Sequence, residues 1–133
     1  MATQATDKPQ TPYELLGGRP VIDRIVNRFY DLMDSDPAYA ELRALHAPDL
    51  APMRESLASF LSGWSGGPRD WFDNNPGKCM NSAHKHVTMS KQSGEQWADA
   101  MTRAIADCGP ENAQLSAAMS DMLGQLARSM GRD

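Results

Sequence analysis

A chain of 133 residues, with 41% hydrophobic and 23% charged side chains, holds enough apolar material for a single domain that needs no disulfide or metal staple. A formal charge of −4 without a basic block argues against a nucleic-acid partner, and no uninterrupted apolar run reaches the length of a membrane span. Met1 to Gln10 is polar where a secretory leader needs an apolar centre, and Cys79 and Cys108 form no C-x-x-C pair, so two reduced thiols and a cytoplasmic location are expected.

Residues 1–10 lack periodicity and read as a mobile tail, leaving 11–133 as the domain. Thr11-Pro12-Tyr13-Glu14 is a capping box with proline at the first helical position, and Gly17-Gly18 stops this short helix after Leu16. Pro20 opens a second segment in which Ile22, Ile25, Val26, Phe29, Tyr30 and Met33 recur at steps of three and four, the mark of one buried helix face. Asp36-Pro37 starts a short turn that ends near Leu45-His46-Ala47-Pro48, which places His46 at a corner. Pro52 opens the next helix, where Met53, Leu57, Phe60, Leu61 and Trp64 keep the same spacing until Gly66-Gly67-Pro68 breaks it.

From Arg69 to Gly77 the composition is that of an irregular loop around the aromatic pair Trp71-Phe72. Lys78 to Lys85 can form about two turns with Met80, Ala83, His84 and Val87 on one side, putting His84 on an apolar face. Ser93-Gly94-Glu95-Gln96 reads as a second capping box, followed by Trp97, Met101 and Ile105 until Cys108-Gly109-Pro110. The last helix carries the stripe Leu115, Ala118, Met119, Met122, Leu123, Leu126 and Met130. No strand pattern competes, so the fold class is all-α.

Chemistry must come from few residues. The histidines are His46, His84 and His86; taken alone, a histidine on an apolar face reads first as a satisfied core residue. Zinc would need four ligands at familiar spacings, which these residues do not offer, and His84 and His86, two apart, point to different sides of a helix. A haem needs only one neutral imidazole and an apolar slot. Phe29-Tyr30 and Trp97 are explained by core packing, yet a phenol O–H and an indole N–H converging on a dry cavity would also stabilise negative charge on a bound diatomic ligand.

Taken in order, the motifs resemble those of the truncated haemoglobins of the second group. Tyr13-Glu14-Leu15-Leu16-Gly17-Gly18 resembles the family's opening helix, Arg28-Phe29-Tyr30 its second-helix signature, and Leu42-Arg43-Ala44-Leu45-His46 its corner segment. The stretch from Phe60 to Pro68 is similar to the end of the distal helix with its glycine break, Ala83-His84 to the proximal site, and Glu95-Gln96-Trp97 with Met101 to the segment bearing the distal tryptophan. The resemblance spans roughly Thr11 to Met130 and implies a shortened globin fold, a two-over-two helical sandwich around haem b.

By that resemblance His84 is the proximal iron ligand, Tyr30, His46 and Trp97 form the polar distal side, and Phe29, Met53, Leu57, Phe60, Leu61, Met80, Lys85, Val87 and Met101 complete the haem pocket. It also implies binding of O2 and related diatomic ligands, an unidentified reductant, and a monomer or homodimer. A distal side this polar suits slow release or redox chemistry, with NO dioxygenase-like or peroxidase-like turnover left open. The alternative is a haem-based sensor or a haem-free helical interaction module. The chain departs from the family pattern at His86-Val87, where relatives carry proline and phenylalanine, and at Asn75-Pro76-Gly77. It departs again at Asn81-Ser82-Ala83, leaving Lys78 or Lys85 to meet the propionates.

Overall fold

A computed structural model of the protein, describing residues 10–76 and 89–131, begins with the expected capped helix, α1, Pro12–Leu16. Thr11 Oγ1 accepts the Glu14 N–H at 3.2 Å, and Glu14 Oε1 accepts the Thr11 N–H at 3.0 Å. Gly17 ends the helix at φ 112°, a left-handed conformation that glycine alone adopts cheaply. The chain re-enters helix at once, at Gly18 and two residues before Pro20, as α2, Gly18–Ser35. All six of its periodic residues, from Ile22 to Met33, are buried.

A 3-10 turn at Pro37–Tyr39 leads into α3, Ala40–Ala44, and the corner at 45–50 leads into α4, Ala51–Trp64. After the break come α5, Asp70–Asn74, then α6, Lys91–Cys108, and α7, Ala113–Met130. Every regular element among the described residues is helical, as the patterning requires. Helix α2 packs on both α4 and α6, and α6 packs on α7, so two helix pairs share one apolar core.

Three local expectations need correction. The segment after the glycine break is not an irregular loop: the half-buried Trp71 and Phe72 pack against Phe60, with ring centroids 5.1 and 5.5 Å away, and this packing favours a helical turn at Asp70–Asn74 despite its loop composition. Helix α6 begins earlier than the Ser93 box. Its N-cap is Ser90, whose Oγ accepts the Ser93 N–H at 3.0 Å, while Ser93 and Gly94 lie buried inside the helix. Gly94 is needed there because a Cβ would come within 3.0 Å of the Ala127 carbonyl oxygen on α7, where the two helices cross. On α7 the stripe is narrower than its hydrophobic pattern, since Ala118 and Met122 are exposed.

The glycine break is held by Tyr13. Its N–H donates to the Ser65 carbonyl at 2.9 Å and its hydroxyl accepts the Arg19 N–H at 3.1 Å, so the ring is fixed at both ends. A Cβ on Gly67 would meet that ring at 2.5 Å. We therefore expect Gly67→Ala to destabilise the fold by about 1–3 kcal/mol, the usual range for overpacking a well-packed site. Equilibrium denaturant unfolding measures this, and an unchanged midpoint would show that the ring can move.

Candidate functional site

Helices α4 and α7 present matching faces across a gap. Met53, Ser56, Leu57 and Phe60 on one side and Leu123, Leu126, Ala127 and Met130 on the other both fall at positions i, i+3, i+4 and i+7, one face of a helix each. Between them lies a cavity of about 390 Å³, within the range of roughly 300–1,000 Å³ typical of small-molecule sites. Tyr30, Leu42, the corner 45–47, Trp71, Asn75, Met89 and Trp97 complete its described lining. The walls are dominated by aliphatic, thioether and aromatic groups, with a few polar atoms.

Tyr30 sits on the buried face of α2, 2% exposed, with its ring edge-on to Phe29 at 4.9 Å. Its hydroxyl bonds to no described side chain or backbone group, and no buried side-chain polar atom among the described residues lacks a partner. The oxygen must therefore open onto the cavity that the residue lines. Burial pushes the phenol well above its ordinary pKa, only partly opposed by the Arg54 guanidinium 5.7 Å from the ring centroid. Tyr30 is thus a proton donor throughout the neutral range. Arg54 is held in turn by Asp31 at 2.9 Å and Asn27 at 3.1 Å, tying α4 to α2 beside the site.

Trp97, in the second turn of α6, stacks against Phe29 with centroids 5.0 Å apart, and its indole N–H has no partner among the described residues. His46 lies at the corner, its ring edge-on to Tyr30 at 5.9 Å. Its Nδ1 is 2.9 Å from the Leu42 carbonyl oxygen. A carbonyl only accepts, so Nδ1 carries a proton in this bond. Two donors and an imidazole anchored through Nδ1 thus border an apolar space.

Of the residues singled out from sequence, Tyr30, His46, Trp97, Met53, Leu57 and Phe60 are brought together on this cavity. Met53 stands at its rim, 36% exposed. Phe29, Leu61 and Met101 are not on the described lining; they lie fully buried in the core behind it, because their helix faces point between α2, α4 and α6. His84, Met80, Lys85 and Val87 fall outside the described residues, as do Lys78 and His86. The second wall, Leu123 to Met130, together with Trp71, Asn75 and Met89, was not singled out. The apolar stripe of α7 was visible, but a stripe facing a cavity has the same period as one facing a helix.

The arrangement suits a largely apolar small molecule with a few polar atoms. The indole N–H and phenol O–H donors would meet negative charge on a guest with little reorganisation. Apart from His46, whose Nδ1 is committed, no histidine is among the described residues that line the cavity.

Comparison with known proteins gives a consistent result. The family model described as bacterial-like globin matches residues 11–131. Among solved structures, a group II 2-on-2 haemoglobin from Agrobacterium tumefaciens aligns with a TM-score of 0.88 at 27% identity, covering 94% of this chain and 96% of that one. A cold-adapted truncated haemoglobin from Pseudoalteromonas haloplanktis aligns with a TM-score of 0.88 at 31% identity, covering 93% and 99%. A haemoglobin from Chloroflexus aurantiacus aligns with a TM-score of 0.83 at 26% identity, covering 94% and 100%. Among the described residues no helix is long and apolar enough to cross a membrane.

Proposed function

This chain belongs to the bacterial-like globin family, with the two-over-two fold of the truncated haemoglobins, and from that premise we propose that it binds haem b in the α4–α7 cavity and takes O2 or a related diatomic ligand there. The observation that carries the reading is the pair of donors, the Tyr30 hydroxyl and the Trp97 indole, left without described partners at the edge of an apolar cavity. In a purely structural core both would be expected to find a bond.

When bound, the haem supplies the iron that takes the diatomic ligand. His84 would hold it from the proximal side, a role carried over from the family motif. Leu57, Phe60, Leu123 and Leu126 would enclose the macrocycle and exclude water. Tyr30 and Trp97 would donate to the ligand, with the His46 imidazole on the same side. So polar a distal set favours long retention of O2, or its use against NO or peroxide with electrons from a separate reductant, over rapid delivery. The proposed setting is the cytoplasm, as a monomer or homodimer.

Adding haemin to the purified chain tests this. A sharp Soret band that saturates at one equivalent is expected, and a broad band that grows without saturation would sink the reading.

A further inference from the structure

Helix α3 is five residues long, and its own N-cap position, Tyr39, offers no side-chain bond. The first N–H groups of a helix have no partner within it. One of them, that of Leu42, is met from another helix: it donates to Gln96 Oε1 at 3.0 Å. Two further side chains of α6 hold the same segment. Asp99 accepts the Tyr39 hydroxyl, and Arg103 donates to that hydroxyl and to Asp36, each at 2.9 Å. Gln96, Asp99 and Arg103 fall at i, i+3 and i+7, so one polar face of α6 grips residues 36–42 while the adjacent face carries Trp97 and Met101 inward.

The same residue, Leu42, reaches the cavity. Its N–H is held by Gln96, and its carbonyl accepts from His46 Nδ1 at 2.9 Å. Leu42 itself is 1% exposed. A short continuous chain of bonds therefore runs from α6, one residue before Trp97, through the corner helix to the imidazole. We propose that Gln96 is a positioning residue for the cavity: by capping α3 through the Leu42 N–H, it fixes the His46 imidazole in its Nδ1–H tautomer and in register with Trp97. Asp99 and Arg103 anchor the segment, whereas Gln96 bonds the N–H of the residue whose carbonyl His46 uses. This rests on the proposed function only for its second readout.

The test compares Gln96→Met, of similar length but without an acceptor oxygen, with Gln96→Glu, which keeps one. The first readout is the pair of ring-nitrogen chemical shifts of His46 in 15N-histidine-labelled protein, assigned by the signal lost in His46→Phe. Wild type and Gln96→Glu should show a protonated Nδ1 and an unprotonated Nε2, and Gln96→Met should show averaged or exchanged shifts. The second readout is the C–O stretch of the haem-loaded, CO-saturated protein, which should be a single band in wild type and Gln96→Glu and split or broaden in Gln96→Met. If Gln96→Met does not fold, Gln96→Leu takes its place with the same expectations. Wild-type shifts and a single band in the acceptor-less variant would overturn the proposal. So would equal disturbance of both readouts in Gln96→Glu. Failure of the chain to take up haemin would remove the haem reading but leave the nitrogen shifts as a full test of the Gln96 assignment.

Discussion

Purified His84→Ala should fail to retain haem, giving no saturating Soret band at one equivalent of haemin where the wild-type chain gives one. The resemblance at Ala83-His84 is the ground for proposing this residue as the proximal ligand, and a globin-type iron needs one such imidazole from the protein. His46 is a poor substitute. Its ring lies beside Tyr30, on the side assigned to the diatomic ligand. His86, two residues on, points to a different side if the segment is helical. Loss of the band through misfolding is distinguished by His84→Gly with added imidazole, which should recover the spectrum. A native spectrum in His84→Ala together with its loss in His86→Ala would shift the ligand by two residues.

The second large effect is expected at Trp97. O2 draws negative charge from ferrous iron and CO draws much less, so a donor in a water-poor cavity retains O2 selectively. A hydrogen bond to a charged acceptor contributes about 1.5–3 kcal/mol, which corresponds to roughly a ten- to hundredfold change in the O2 dissociation rate. Trp97→Phe keeps an aromatic filler against Phe29 and removes only the N–H and part of the ring. It should therefore accelerate O2 release by about that factor, with CO release far less affected, in stopped-flow replacement experiments. Equal acceleration of both gases would make Trp97 a packing residue. Tyr30→Phe is a less direct probe, because the vacated space admits water and leaves the indole able to take over the bond.

Residues whose role depends on their own helix were legible in the sequence. The buried face of α2 followed from its period, and the Thr11 capping box and Gly17 stop followed from local backbone chemistry. Helix α5 was not legible, because its five residues fold on account of Trp71 and Phe72 meeting Phe60 from a different helix. The start of α6 was displaced for a related reason: Ser93 and Gly94 imitate a cap, but their small size serves the crossing with α7. On the cavity, Tyr30, His46 and Trp97 could be named from motifs, while the α7 wall could not, since nothing in a stripe says what it faces. The bond from Leu42 to Gln96 spans 54 positions and belongs wholly to the tertiary structure.

The α4 and α7 faces that bound the cavity are each held in place by other helices, and these two helices scarcely pack on one another. Their apolar side chains thus face the cavity rather than each other, and a guest bound between them would extend the hydrophobic interior. Any guest that binds only the folded chain adds its binding free energy to the folding free energy, by about 2.7 kcal/mol when present at a hundred times its dissociation constant. On the proposed function, the stability of this fold in the cell would then rise and fall with the supply of its guest.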